Sequence, residues 1–508
     1  MRYGFVIDQR VCIGCHACTV ACKEENQVPL GAFRTWVKYV ERGTFPHTRR
    51  FFAVLRCNHC ERAPCVAICP TRALHHRPDG LVDFDPDRCI GCKSCLQGCP
   101  YDALYIDPAT GTAAKCHYCA HRVEAGLQPA CVVVCPEQAI VAGDLDDPAS
   151  PVSRLLAREP VQVRKPELGT RPKVFYLGAD AAALTPALQA PAPTYLWAER
   201  PPAERTLVEM VAALDGPAAD AALVRPVYDA PHAPRPWGWK VGAYLWTKAV
   251  ASGTLLLAAA AVLMGRAQGG WLSGLAAPVG ALIFLALTGA LLVWDLKRPE
   301  RFYYLFVKGH AGSWLVRGAW ILVAYGLVGL LWLGAAASGR TDALGLLAWP
   351  TTLLALAAAG YSAWLFAQAE GRGFWQSPLT LPHLLTGAVL AGAAALILAE
   401  ALGRGDADTL GDLGLVLAVA LVVNGGLLLA DLERRHAGWD AGRAARLVTR
   451  GAYRRRFWGG VVGLGTVLPL VLLVLGPALA PAAGALALVG LWLWEDLWVA
   501  AGQVVPLS

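Results

Sequence analysis

The chemistry of this chain starts with its sixteen cysteines, all of which fall between Cys12 and Cys135. They sort into four runs. Cys12, Cys15, Cys18 and Cys22 are separated by two, two and three residues, and Cys89, Cys92, Cys95 and Cys99 repeat that spacing before Pro100. This is the bacterial ferredoxin run. Cys57, Cys60, Cys65 and Cys69 widen one gap to four residues, Cys116, Cys119, Cys131 and Cys135 widen one to eleven, and both again end in Cys-Pro. A cuboidal iron–sulfur cluster takes one thiolate at each of four iron corners, and a short loop with two-residue gaps wraps only three of them. The fourth ligand comes from elsewhere, in two-cluster ferredoxins from the last cysteine of the partner run. Spacing alone leaves open which runs are partners. Zinc ribbons use two separated Cys-x-x-Cys pairs, so four quartets with a closing three-residue gap point to clusters rather than zinc. Cys12-Ile13-Gly14-Cys15-His16 also matches the c-type haem attachment pattern, but Cys18 and Cys22 complete a ferredoxin run and haem attachment would need export.

Between the runs, Gly80 to Phe84 and Ala103 to Ile106 read as short strands beside the turns Pro78-Asp79-Gly80 and Pro108-Ala109-Thr110-Gly111. An α+β ferredoxin-like domain is expected over residues 1–180. The stretches CIGCHACTVACKEEN, CNHCERAPCVAICP and CIGCKSCLQGCPY, the later CxxC with CVVVCP, and the closing PELGTRPKVFYL resemble the four-cluster subunits of dimethyl sulfoxide and polysulfide reductase complexes. That resemblance implies four [4Fe-4S] clusters held by exchanged ligands: Cys12, Cys15 and Cys18 with Cys135; Cys116, Cys119 and Cys131 with Cys22; Cys57, Cys60 and Cys65 with Cys99; Cys89, Cys92 and Cys95 with Cys69. Some relatives replace a cysteine of the third run and hold a three-iron cluster; Cys92 is present here.

The elements that must position this domain are of two kinds. Charged residues make up 16% of the chain, well below the roughly 25% of soluble domains, there are 18 tryptophans, and mean hydropathy is positive. Residues 181–236 are rich in alanine and proline, with one short amphipathic stretch over 207–214, and read as a linker. From 237 to 508 come eight apolar stretches of roughly 18 to 23 residues, each long enough to cross the bilayer. They centre near Thr254, Leu285, Val323, Ala358, Ala391, Val419, Leu468 and Leu493. An all-α transmembrane bundle of about eight helices is expected.

Alternate loops differ in charge. One side carries Arg235, Lys240, Lys297, Arg298, Arg301, Lys308, Arg372, Arg434, Arg435, Arg443, Arg446, Arg450 and Arg454 to Arg456; the other has only Arg266, Arg340 and Arg404. The positive-inside rule then places both termini and the cluster domain in the cytoplasm of a multi-pass protein of the cell inner membrane. The start of the sequence has no apolar segment or twin-arginine pair before Cys12, in keeping with that side. On that side a disulfide framework is a poorer account of the cysteines than metal ligation. The net charge of +7 sits in membrane-flanking loops, so nucleic acid is not an expected partner.

WGWKVGAYLW, WDLKRPERFYYL and GRGFWQSPL make the membrane half resemble the NrfD-like membrane subunits of polysulfide reductase. The resemblance implies a quinone site, and for the whole chain a molybdopterin-type catalytic partner. Ionisable groups within a membrane are costly and so are functional candidates. Tyr244, Lys248, Asp295, Arg317 and His383 lie towards the cluster side and could converge on a quinone; snorkelling of Lys248 and helix-end pairing of Asp295 are the structural alternatives. Glu495 and Asp496, near the middle of the last span, are candidates for proton relay. A b-type haem would need two axial histidines on facing helices, and only His383 is near a span, so no haem is expected. The combined reading is an electron-transfer, quinone-reactive subunit of an oxidoreductase complex. The rivals are a redox-driven proton-translocating module and an anchor without redox function.

Overall fold

The structure, a computed structural model, describes residues 1–189, 224–230, 235–266, 270–403, 405–434, 436 and 438–508. The amphipathic stretch over 207–214, Arg404 and Arg435 lie outside the described residues. The chain divides into two units, one of Met1–Pro236 with Gln368–Arg372 and Gln503–Ser508, the other of Trp237–Ala367 with Gly373–Gly502.

In the first unit, β-branched and aromatic residues gather in strands beside the cysteine loops. Tyr3–Asp8 is flanked by Ile140–Asp144, antiparallel, and by Val174–Leu177, parallel, so the start and the end of this region close one sheet. Phe5, Ile7, Val174 and Tyr176 share a core with Trp36, Val54 and Leu55 of the antiparallel pair Thr35–Arg42 and Arg49–Arg56. Two short hairpins repeat one plan. Cys69-Pro70 precedes Leu74–His76 paired with Val82–Phe84, and Cys99-Pro100 precedes Leu104–Ile106 paired with Ala113–Lys115. These are the strands expected from the turn residues, with Gly80 and Gly111 at φ +73° and +67° supplying the left-handed corner.

The segment read as a linker is partly built into this unit, which corrects that reading at both ends. Ala181–Leu184 is a helix capped by the Asp180 side chain, and its Ala182, Ala183 and Leu184 are buried. Val224–Tyr228 adds a strand to the edge of Thr35–Arg42. Asp229 then pairs with buried Lys38 at 3.2 Å. The exposed edge of a sheet is satisfied by a strand arriving from far along the sequence. The GRGFWQ motif and the last residues also contribute: Arg372 donates to Gln97 Oε1 at 3.0 Å and to the Val505 carbonyl at 3.0 Å, and lies 3.3 Å from Asp102. At Gly371 a Cβ would fall 2.6 Å from the Cys99 carbonyl oxygen, so only glycine fits there.

The second unit contains eight helices long and apolar enough to cross a membrane among the described residues: Trp239–Leu263, Trp271–Asp295, Trp314–Ala337, Thr341–Ala367, Thr380–Gly403, Ala407–Glu433, Arg456–Leu475 and Pro477–Val504. Each contains one of the expected centres. The first and fifth are the most enclosed, and they touch through small residues: a Cβ on Gly253 would lie 1.8 Å from the Ala388 carbonyl, and one on Gly392 would strike Gly253. Close approach of backbones through glycine and alanine is how helices gain packing where lipid offers no hydrophobic drive. Leu331, Leu353, Leu415 and Val474, on the outer helices, are exposed, as lipid-facing side chains would be.

Candidate functional site

The cysteine loops of the first and third runs share a backbone. Gly14 and Gly91 have φ of +71° and +67°, and His16 and Lys93, two residues on, have φ of +61° and +64°. Alternating left-handed residues turn successive amide groups inward, a conformation that favours an anionic guest. Helices Ala17–Glu25 and Ser94–Gly98 begin directly afterwards. In both inner runs the final cysteine leaves its helix extended, Cys69 with ψ 115° and Cys99 with ψ 117°, because a residue before proline is pushed out of the helical region.

The thiols regroup across runs. Burial pushes Cys12 up, and its thiol neighbours are Cys135 and Cys15. Burial pushes Cys18 up to about 12, with Cys131, Cys12 and Cys135 adding to the effect. Burial raises Cys22 among Cys116, Cys131 and Cys119. It raises Cys60 and Cys65 beside Cys57 and Cys99. Burial also pushes Cys92 up to about 12, beside Cys69 and Cys89, which are neighbours of Cys95 as well. Each set of four thus takes its last member from another run. The sets also adjoin in a row, through Cys18 and Cys131, then Cys116 and Cys57, then Cys65 and Cys95. At one end of the row Cys15 is exposed.

Two observations test whether these residues fit iron–sulfur cubes. Each set gathers four thiols, the donor number that the four iron corners of a cube require. Donors also point at sulfur: amides of Leu74 to Cys69 at 3.5 Å, Ala113 to Cys89 at 3.4 Å and Ala139 to Cys135 at 3.2 Å, and Arg56 Nη1 to Cys131 at 3.2 Å. Buried thiols held neutral by desolvation become ligands only when a cation replaces the proton. The donor set fits.

In the membrane unit a second polar cluster forms. Tyr244 and Lys248 are four residues apart and so share one face of the first span. Both are buried. Lys248 Nζ points inward, donating to Ser362 Oγ at 2.6 Å and to the Ala359 carbonyl at 3.0 Å, with the Tyr361 ring 4.6 Å away. It does not snorkel. The hydroxyls of Tyr244 and Tyr361 approach the same Ser362, and Tyr244 also has Glu495 and half-buried Asp295 as neighbours. Glu495 is the charge that Lys248 senses, without direct contact between them, and its Oε2 is buried with no partner.

Glu495 also lines a narrow crevice with Thr380, His383, Asp431 and Trp494. Trp494 Nε1 donates to His383 Nε2 at 2.6 Å; since the indole is only a donor, the imidazole proton sits on Nδ1. That nitrogen is buried without a hydrogen bond of good geometry, with Asn424 as its polar neighbour. Asp431 accepts from Ser377 and from Arg434.

Two candidates do not join this cluster. Arg317 is exposed, donates to the Ala311 carbonyl and covers Trp314, because it occupies the outward side of the first turn of its helix. Asp496 pairs with Arg456 at 2.6 Å; adjacent helical residues point about 100° apart, so it faces away from its neighbour Glu495. The structure therefore brings together Tyr244, Lys248, Asp295, His383 and Glu495. It adds Tyr361, Ser362 and Asp431, which the sequence reading missed, although polar residues inside apolar spans were the signal that would have found them.

Comparison with known proteins agrees with both halves. The profile described as "4Fe-4S dicluster domain" matches residues 48–145, and that described as "Polysulphide reductase, NrfD" matches residues 230–505. A tetrathionate reductase subunit of Salmonella typhimurium is 48% identical over 202 residues, 39% of this chain and 80% of that protein. A polysulfide reductase chain of Wolinella succinogenes is 42% identical over 182 residues, 34% of the present sequence and 93% of its own. The arsenate respiratory reductase iron–sulfur subunit ArrB of Shewanella sp. is 37% identical over 226 residues, 35% of the present sequence and 96% of its own. With the NrfD match covering more than half of its length, and reductase iron–sulfur subunits matching the part before it, this protein belongs to the NrfD polysulphide reductase family and carries a 4Fe-4S domain ahead of its multi-pass membrane domain.

Proposed function

We propose that the chain passes electrons between a catalytic subunit of the molybdopterin class and the membrane quinone pool, with its sixteen cysteines holding four [4Fe-4S] clusters in the exchanged sets given above. The observation that carries this reading is the row of four thiol sets, one end of which reaches the surface at Cys15. When bound, such clusters accept and give up single electrons. The protein's part is to bury the thiolates, aim amide donors at sulfur and keep the row continuous. About sixteen iron and sixteen acid-labile sulfide per chain are expected, four of each for every complete cube. Elemental analysis of the purified protein checks this, and iron near eight or stoichiometric zinc would reject it.

The quinone would be met in the membrane by Lys248, Tyr244 and His383, which offer donors for its carbonyls, while Glu495 and Asp295 offer carboxylates for its protons. The unpartnered Glu495 oxygen beside Lys248 also favours a second reading, in which this pair moves protons through the bundle during turnover. Proton uptake into sealed vesicles beyond the quinone's own stoichiometry would separate the two.

We place the protein in the cell inner membrane with the cluster domain cytoplasmic, supported by the loop charge asymmetry. A reporter fused after Ser508 is expected to be active only in its cytoplasmic form, and the loop holding Arg404 to be labelled from outside. The opposite labelling would overturn the assignment.

A further inference from the structure

Arg56 is the last residue of the strand Arg49–Arg56 and leads directly into Cys57. Its side chain does not follow the chain to that second run. It turns back into the core, lies 4.5 Å over the Phe5 ring, and donates from Nη1 to Cys131 Sγ at 3.2 Å. Only 1% of the residue is exposed. A guanidinium has five N–H donors and is always charged, yet here Nε and Nη2 are buried with no partner in the protein. Leaving charged donors unsatisfied in a core costs more than any other polar burial, so what they face must be an acceptor. The side chain carries its charge beside Cys131, Cys116 and Cys18. Those thiols belong to two different sets, the one completed by Cys22 and the one completed by Cys135. No carboxylate forms an ion pair with Arg56 among the described residues.

We propose that Arg56 is a positioning residue that sets reduction potential: its guanidinium donates to the sulfur of the cluster held by Cys22, Cys116, Cys119 and Cys131, and raises the potential of that cluster more than that of the other it adjoins. The inference rests on the four-cluster reading. The physical argument is that reduction adds one negative charge to a cluster, and a buried cation with N–H groups aimed at sulfur stabilises the reduced form more than the oxidised one. Cys131 receives the direct hydrogen bond, whereas Cys18 is only a charge neighbour, so the effect is larger on the set containing Cys131. A fully buried arginine one residue before a cluster ligand is then not a packing accident; a leucine or methionine would fill the same space over Phe5 without the cost of desolvating a charge.

The test is an EPR-monitored redox titration of the full chain, with iron content measured on each sample. In Arg56→Gln the reduced-to-oxidised ratio of one cluster at fixed potential should fall at least tenfold, about 59 mV towards the negative. A second cluster should move less, and the other two should stay in place. Arg56→Lys keeps the charge but not the planar fork, and should recover more than half of that shift. Should Arg56→Gln fail to hold its clusters, pulsed EPR of the wild-type chain labelled with 15N-arginine decides. A nitrogen coupling to one reduced cluster that is absent from Arg56→Lys supports the proposal. Unchanged potentials at full iron content, an equal shift of all four clusters, or no arginine coupling in the wild-type chain would overturn it. Iron content below four clusters in the wild-type chain would instead reject the reading on which it rests.

Discussion

Cys99→Ala is expected to remove the cluster assembled mainly by the second run, Cys57, Cys60 and Cys65, and to spare the one assembled by the third run to which Cys99 itself belongs. Iron should fall by about four of sixteen per chain, or less if a three-iron remnant stays behind. The reason lies in the proline that follows. Pro100 holds Cys99 extended, turning its Sγ off the helix Ser94–Gly98, and the thiol neighbour that results is Cys57 rather than Cys89 or Cys92. Cys69 before Pro70 does the same in reverse, with Cys89 as its thiol neighbour. Cys69→Ala should therefore damage the third run's cluster. EPR spectra of the two variants, which should lose different signals, check the pairing; loss of the signal belonging to the mutated residue's own run would reject it. Folding should survive each change, because Cys99 and Cys69 precede hairpins whose ladders they do not join.

The parts of this protein that were legible beforehand are those whose determinants are local. Cysteine spacing is a chain-length constraint around a cube, so the four runs declare themselves, and Pro-Asp-Gly fixes a corner whatever surrounds it. Span positions follow from twenty or so apolar residues in succession. What could not be read depends on partners distant in sequence. Val224–Tyr228 lies in an alanine- and proline-rich stretch and becomes a strand only because the edge of Thr35–Arg42 needs a neighbour. Arg56 carries no signal of its own, since one arginine at a strand end is normally solvated, and only the return of Cys131 makes it a core residue. In the spans, hydropathy locates a helix along the membrane normal but says nothing of its rotation. Glu495 and Asp496 were equivalent by depth and differ by one step of rotation, which places one against the Lys248 cluster and the other against Arg456. The i, i+4, i+8 stripe of Tyr244, Lys248 and Ser252 could have given the rotation of the first span, because three polar groups on one face of an apolar helix must face inward.

Lys248→Met should cut quinone-coupled turnover by about 10²-fold or more, the range lost when a positioned acid or base is removed, while the clusters stay intact and reducible by artificial donors. An ammonium has three N–H donors. Two are used, by Ser362 and the Ala359 carbonyl, and the third has no hydrogen-bond partner among the described residues. The same side chain shares Ser362 with Tyr244 and has Glu495 as its charged neighbour across a gap neither group closes. A quinone carbonyl presented to that spare donor would gain a charge-assisted hydrogen bond that strengthens as charge develops on the oxygen in the transition state for reduction, and that differential would make it catalytic rather than merely adhesive. Methionine is unbranched like lysine, one atom shorter, and at home in the span, and the Ala359 carbonyl keeps its place in the helix, so the bundle should remain folded. His383→Leu should have a similar effect if its Nδ1 proton serves the other carbonyl; it also frees Trp494 Nε1, a buried donor left unpaired at a cost of about 1–3 kcal/mol. Lys248→Arg would separate charge from fit, since a fork cannot occupy the space of a single ammonium between Ser362 and Tyr361. Steady-state turnover with a water-soluble quinone analogue, alongside cluster reduction by dithionite, measures the two halves separately. Normal quinone kinetics in both Lys248→Met and His383→Leu would show that this buried cluster is structural and that the quinone is met elsewhere.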